Sequence, residues 1–507
     1  MKKYVFIVCC LMCNISIVYS QTKQQSALEK FRAENQQKFN SFRDKNHNDI
    51  ENFRRENNEK FAQLMANPWT ETNVFDAKKE EVLRKSPVVK VKDTDKKTNN
   101  KIEIAKETII QTVAKQPQPS AEILEFYSKR TKTTQETFYF YGTECRVTWS
   151  QEMLFKLETV SEKAVSKIWW QLAEREEYDK IIFDCLDLRD ELQLCDWGYL
   201  KLVEAFSNNF YGNRTNESVL MQMYILTQSG YQVRIGMLSG EPKLILLVPS
   251  VEEIIGYQYL CPIGLKYYIF DNELNIENRK ILFFNHPYPQ EQLSSLNISV
   301  APKLAYKAVS YREFESEVTS DLSVSVTSNV NLIEFYNSFP QIDKDWTKYA
   351  KTSLSEELKN MLYPSLEEAI SGKTQEEAVN ILLNFVQTAF DYKIDIEQFG
   401  YERALFPDEL FYYPYSDCED RSILFSVLVH DLLNLNVVIL YYPETDVTTG
   451  HIATAVRFTD DIDGDSFSLK DGKYVVCDPA YIYATVGMTQ NDYRTVSPFV
   501  YRIWDTN

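Results

Sequence analysis

The sequence predicts a mixed α+β chain built of several units. Three observations lead there. An eleven-residue repeat near the N-terminus reads as one long helix. Helical and strand periodicities are mixed through the rest of the chain. In the C-terminal third, apolar residues at helical spacing give way to short β-branched runs. The chain has 507 residues, as a prior enough for about three domains. Hydrophobic residues at 44% and aromatics at 13% exclude global disorder, and 14 Gly with 17 Pro exclude a collagen-like or low-complexity chain. Lys and Arg number 55 against 73 Asp and Glu, a formal charge of −18. That excess repels phosphate backbones and argues against a nucleic-acid partner.

Residues 1–20 read as a secretory signal peptide. Met1-Lys2-Lys3 is basic, Tyr4 to Val18 is apolar, and Val18 and Ser20 offer small residues before Gln21. Cys13 invites a lipidation reading, but Met12 stands before it where a small residue is required. Losing Lys2 and Lys3 takes the charge from −18 to −20. The expectation is an exported protein, periplasmic or extracellular, with no membrane span in the mature chain.

Residues 21–67 carry the repeat. Phe31-Arg32-Ala33-Glu34-Asn35, Phe42-Arg43-Asp44-Lys45-Asn46 and Phe53-Arg54-Arg55-Glu56-Asn57 align without gaps, and Leu64 continues the first position. Leu28, Phe39, Ile50 and Phe61 form a second series. Eleven residues make three turns at about 3.67 per turn, so both series fall on one stripe of a long helix. The stripe needs a partner, either the protein's own body or a second molecule. Residues 68–120, rich in Lys and Thr with Pro87, Pro117 and Pro119, read as a mobile linker.

Residues 121–285 read as an α/β domain, 286–345 as strands and loops, and 346–507 as a second domain. In the last, Leu354 to Ala369, Thr374 to Phe390 and Cys418 to Leu433 have helical spacing, with Asp417 or Ser416 placed to cap the third helix. Strands are expected at Val437 to Tyr442, His451 to Phe458 and Tyr474 to Asp478. The stretch Thr459 to Gly472 reads as a solvated hairpin loop, and its acids do not match an EF-hand.

Removing the signal leaves Cys145, Cys185, Cys195, Cys261, Cys418 and Cys477. Six is too few for a disulfide scaffold, though one or two bridges stay open. The mature part has no CxxC pair and no HExxH, and only His47, His286, His430 and His451 are present. No metal site and no cofactor are predicted.

The element order places one chemical constellation. Cys418 opens a helix, where unpaired N–H groups and the dipole favour a thiolate and can hold an oxyanion. His451 begins a strand and Asp478 ends the next, so an imidazole–carboxylate bond can form between antiparallel neighbours. The acid would orient the ring, the ring would activate the thiol, and the thiolate would attack an acyl carbon. His451, Ala453 and Ala455 share one face, expected to leave room beside the helix. Asp420 would pair with Arg421 or brace the site. Cys477 points away from Asp478 and reads as a core thiol. His430 lies about 18 Å along the helix from Cys418 and cannot serve it. His286 sits in a turn.

The words around these residues are more specific than their spacing. Tyr415-Ser416-Asp417-Cys418-Glu419-Asp420-Arg421, then Gly450-His451-Ile452-Ala453, then Tyr474-Val475-Val476-Cys477-Asp478-Pro479 resemble the three motifs of the transglutaminase-like superfamily of bacterial cysteine proteins. Gly400-Tyr401-Glu402 through Phe406-Pro407-Asp408-Glu409 is similar to the segment that leads into them. The resemblance covers about residues 345–507. It implies a papain-like core and acyl transfer from an amide through a thioester. Ser416 stands where Gly is common. Tyr412, Tyr413 and Tyr415 are near enough in sequence to supply an oxyanion donor or an aromatic wall.

The middle of the chain repeats the order without the chemistry. Trp197 to Tyr211 parallels Glu377 to Tyr392. Asn213 to Met221 falls where Ser416 to Leu424 does, with Thr215 at the cysteine. Lys243 lies near the place of His451, and Tyr267 to Asp271 parallels Tyr474 to Asp478. A degenerate second copy and an unrelated α/β domain both account for this. Two functions follow: a cysteine peptidase or transamidase acting on a protein or cell-wall peptide, or a non-catalytic binding or assembly scaffold with a vestigial triad. In either, the N-terminal helix self-associates, docks a partner or packs on the body.

Overall fold

The computed structural model describes residues 49–504, apart from 80–84, 86–87, 110–114, 129–134, 251, 263, 272, 275, 277–278, 296–297, 310 and 320–321. The signal peptide expected at 1–20 and the repeat up to residue 48 lie outside the described residues. Among these residues no helix is long and apolar enough to cross a membrane.

Helix α1 (residues 49–65) docks on the body of the protein. Its buried face keeps one series of the expected stripe, Phe61 with Ile50 beside it, and not the other. Arg54, Asn58, Phe61, Ala62 and Met65 are buried, whereas Phe53 (48% exposed) and Leu64 are exposed. Polar partners rotate the helix. Arg54 forks onto Asp179 at 2.7 and 3.0 Å, and Asn58 Oδ1 accepts from Gln228 at 3.0 Å. Phe61 packs on Trp169, Phe284 and Tyr288 at 4.9–5.2 Å. Burying one such ring contributes about 1.5–3 kcal/mol.

The stretch read as a linker supplies three short strands, β1 (Thr70–Asn73), β2 (Val89–Lys90) and β3 (Lys106–Ile109). Helix α2 (Ala121–Ser128) and the hairpin β4 (Gln135–Phe140) and β5 (Thr143–Thr148) follow. Then come α3 (Glu162–Glu174), α4 (Glu176–Glu191), α5 (Asp196–Tyr211) and α6 (Asn216–Gln228). Strands β6 (Arg234–Leu238), β7 (Leu244–Ser250), β8 (Tyr259–Leu260), β9 (Lys266–Tyr268) and β10 (Lys280–Phe284) complete this unit. The connection holds β11 (Arg312–Glu315), β12 (Ser323–Val326) and the helices α7 (Val330–Ser338) and α8 (Trp346–Ala350).

The C-terminal unit has α9 (Glu356–Ile370), α10 (Gln375–Thr388), β13 (Asp391–Tyr392), the short α11 (Asp395–Gln398), β14 (Tyr415–Ser416) and α12 (Cys418–Leu433). Strands β15 (Asn436–Tyr442), β16 (His451–Arg457), β17 (Ser466–Leu469), β18 (Gly472–Cys477), β19 (Tyr481–Ile482) and β20 (Phe499–Arg502) end the chain. The expected loop at 459–472 thus contains β17, which pairs with β18. Asp465 within it is buried and accepts from the N–H of Asn100 at 3.0 Å.

Two six-stranded sheets carry the molecule, in the orders β1-β10-β6-β7-β9-β8 and β3-β20-β15-β16-β18-β17. Their connectivity corresponds strand for strand. In each, a helix buried along most of its length (α6, α12) leads into a central strand. Strands β7 and β9 in one sheet, and β16 and β18 in the other, extend it to one side, and the last strand (β10, β20) adds on the other. The edge beyond it comes from residues 70–109. Pairing is antiparallel throughout except for β3 on β20. The N-terminal stretch therefore fills an open edge of both sheets, where unpaired N–H and C=O groups would otherwise face outward.

Helix α12 lies on the sheet face of Val437, Ile439, Ile452, Val456, Val475 and Cys477. The opposite face, with Val438, Leu440, Ala453, Ala455, Tyr474 and Val476, is closed by Ile102, Tyr493 and Val500. Ala453 and Ala455 consequently face away from α12, contrary to the expectation that they flank it.

Candidate active site

The start of α12 is held by hydrogen bonds that the motif encodes. Asp420 reaches back to the N–H of Asp417 at 3.2 Å and also accepts from the N–H of Leu405 at 2.8 Å. It braces the turn rather than pairing with Arg421. Arg421 is buried and donates to the carbonyls of Gln387 (3.0 Å) and Phe390 and to Ser416 Oγ (3.2 Å). These bonds fix the first residue of the helix, Cys418.

Cys418 is 2% exposed. Its sulfur lies 3.2 Å from Glu419 Oε2. One turn on, Ser422 Oγ donates to the Ile452 carbonyl at 3.4 Å. The helix start and the start of β16 therefore meet. Burial, then the Glu419 and Asp417 carboxyls, push the thiol well above its ordinary range, against a smaller pull from Lys85. The helix terminus was expected to favour a thiolate, and in this closed arrangement burial and two flanking acids outweigh it.

His451 and Asp478 form the expected pair. Nε2 is 2.9 Å from Oδ2, with the side chains 4% and 3% exposed. An ionised carboxylate only accepts, so Nε2 carries the proton and Nδ1 is left as the basic nitrogen. Asp478 also accepts from the N–H of Ala480 at 3.0 Å and from Gln490 Nε2 at 2.9 Å. Tyr493 stacks on the imidazole at 4.7 Å and Tyr442 at 6.1 Å. Gln387 Nε2 donates to the carbonyls of Asp478 (3.0 Å) and Ala484 (3.1 Å). Gln490, Gln387, Tyr442 and Tyr493 carry no motif signal, since they come from three separate segments, with Gln490 and Tyr493 in one turn, and only the fold assembles them.

The other candidates are placed as follows. Tyr413 donates to Asn337 Oδ1 at 2.8 Å, so its hydroxyl is engaged with α7. Tyr415 lies in β14 under the Lys393 ammonium at 5.0 Å, and Tyr412 stacks edge-on against Tyr413. Cys477 is buried, and burial raises its thiol far up. His430 stacks on Trp504 at 3.9 Å, and His286 lies against Phe284. The six described cysteines are all free thiols.

Sequence reasoning missed Lys85, which sits in the stretch read as a linker. Its ammonium is buried and lies 2.6 Å from Asp417, 2.6 Å from Glu402 and 3.1 Å from Asp395, and it also bonds Glu419. These acids and Asp420 form overlapping groups whose oxygens lie within 4.8 Å of one another. The chain's own ammonium takes the place a cation would have among them. Burial and then Asp417 push Asp395 up to about 8. Burial with neighbouring carboxyls likewise raises Asp417 and Asp420. Asp395 is therefore protonated at neutral pH.

No protein family matches the chain, and no curated protein does. A solved structure of Legionella pneumophila LapG (EGTA-treated) aligns over 31% of this chain and 78% of that one, at 15% identity and a TM-score of 0.20. At that score the overlap is slight.

Proposed function

We propose that the C-terminal unit is a transglutaminase-like cysteine acyl-transfer site acting on an amide of a protein or cell-wall peptide, in an exported chain. The observation that carries this reading is the 2.9 Å bond from His451 Nε2 to Asp478 Oδ2 at the start of β16, where Ser422 of α12 donates to the Ile452 carbonyl at 3.4 Å. In the reaction, His451 Nδ1 takes the thiol proton and sulfur adds to the amide carbon. The oxyanion is held by N–H groups at the start of α12, with Tyr412 or Tyr415 as a further donor. The imidazolium then protonates the departing amine, leaving a thioester. Water resolves it in a peptidase and an amine in a transamidase.

The upstream unit fits a degenerate copy. The matching strand orders support this, as does Thr215 capping α6 through the N–H of Ser218 at 3.0 Å. The cap sets Thr215 beside Asp417 in the comparison and Asn216 beside Cys418. Lys243 precedes β7, and Asp271 is held by Arg214 at 3.3 Å. With nucleophile and base both absent, that unit would bind or support. The described part of the N-terminal helix packs on the body, and the exposed Phe53 and Leu64 are what it would offer a partner.

The buried, protonated thiol between two carboxyls favours the second reading, a scaffold with a vestigial triad. Iodoacetamide labelling mapped by peptide mass separates the two, in a Cys261→Ser background because Cys261 is the half-exposed thiol. Labelling of Cys418 that is lost in His451→Ala supports the enzyme. Labelling indifferent to His451, or none at Cys418, sinks it.

A further inference from the structure

Lys85 holds a place that its neighbours in sequence do not explain. Among the described residues of the N-terminal stretch, it is the one whose side chain enters the cage around Cys418. Its four carboxylate partners come from three places: Asp395 in α11, Glu402 in the loop after it, and Asp417 and Glu419 on either side of the thiol. Without a cation, the ionised groups among them would repel one another and stand uncompensated among buried side chains. The backbone delivers the ammonium here. Lys85 bridges to Gly450, the residue before His451, and Val89 then pairs with Tyr481 just beyond Asp478. Further on, Asp95 accepts from the Tyr481 hydroxyl and from Asn491, both at 2.7 Å. The strap is thus fastened beside all three of the proposed reacting residues.

We propose that Lys85 is a positioning residue for Cys418: its ammonium ties Asp417 and Glu419, which flank the thiol at the start of α12, to Asp395 and Glu402, so the strap is a working part of the site. This rests on reading Cys418 as the nucleophile. The ammonium does not touch the substrate carbon; it acts through Asp417 and Glu419. Around the sulfur, the charged or titratable groups are Asp417 and Glu419 on its own element, Lys85 on the strap, Asp395 and Tyr392 on the preceding segment, and the His451–Asp478 pair across from the helix start. Among these, Lys85 is the fixed cation that lowers the cost of a thiolate.

The test is the pH dependence of Cys418 alkylation by iodoacetamide in the full chain, in the Cys261→Ser background. Lys85→Met is expected to slow labelling at pH 7 at least tenfold and to move the midpoint of the profile at least one pH unit upward. Lys85→Arg is expected to keep both near the parent. If Lys85→Met does not fold, Lys85→Met/Glu402→Gln, which removes one charge of each sign, is expected to show the same upward movement. A parental rate and midpoint in Lys85→Met, or in the double variant where that is the one that folds, overturns the proposal. His451→Ala is run beside them. If it leaves Cys418 labelling unchanged, the acyl-transfer reading fails and this one with it. If it abolishes labelling while Lys85→Met does not alter it, only the role of Lys85 falls.

Discussion

His451 Nε2 and Asp478 Oδ2 lie 2.9 Å apart although 27 residues separate them in the chain. The carboxylate fixes which ring nitrogen carries the proton. In Asp478→Asn the amide can donate to Nε2 instead, which favours the proton on Nδ1 and removes the base. Labelling of Cys418 should then fall by about a hundredfold or more, with little change in melting temperature. Equal rates in parent and variant would show that the pair is structural.

Gln490 holds the same carboxylate from the other side, donating to Asp478 Oδ2 at 2.9 Å. Gln490→Leu removes a buried donor to a charged acceptor, worth about 1.5–3 kcal/mol. The melting temperature should drop, and Cys418 labelling should slow less than in Asp478→Asn. An unchanged melt would place the Gln490 amide outside the folded site.

What the sequence disclosed and what it hid have separate physical origins. Helix α12 and strands β15, β16 and β18 were legible because local periodicity and the Asp417 cap act within a few residues. The proximity of His451 and Asp478 was legible because neighbouring antiparallel strands bring such positions together. Lys85 was not, because its partners lie more than 300 residues away and nothing near it marks a strap. The pairing of β3 with β20 was hidden for the same reason, since an edge strand of four residues has no period to read. Of the stripe on α1 only the series with Ile50 and Phe61 is turned inward, because Arg54 and Asn58, whose partners Asp179 and Gln228 lie in other helices, take the place expected of Phe53 and Leu64. The protonated thiol was hidden too, because burial depends on the whole fold and not on the helix start alone.

Buried acids should make the protein less stable as pH rises. Burial, then Asp417, raises Asp395 to about 8. Burial raises Glu409 to about 7, partly offset by Arg403, and Asp408 to about 6, partly offset by Ser355. Unfolded, these groups titrate near about 4. Between about pH 4 and 8 the folded state therefore holds protons that the unfolded state has released, so stability falls with pH across that window. The melting temperature of the full chain should be higher at pH 5.5 than at pH 8.5, and Asp395→Asn should flatten the upper part of the curve. A melting temperature that climbs from pH 5.5 to 8.5 would contradict the buried cage.

Arg54 tests whether α1 is an integral packing element. Its guanidinium forks onto Asp179 at 2.7 and 3.0 Å and lies over the rings of Phe126 and Tyr127 at 5.4 and 5.1 Å. Arg54→Ala removes the guanidinium from a buried carboxylate and should cost about 3–5 kcal/mol in urea unfolding. Arg54→Met/Asp179→Leu removes both charges while keeping apolar volume and should recover most of that loss. The comparison separates charge from contact area, because the double variant loses the ion pair but keeps the helix seated. If Arg54→Ala costs under about 1 kcal/mol, the range of a surface pair, then α1 is not seated by this ion pair and its apolar residues Phe61 and Met65 alone hold it to the upstream unit.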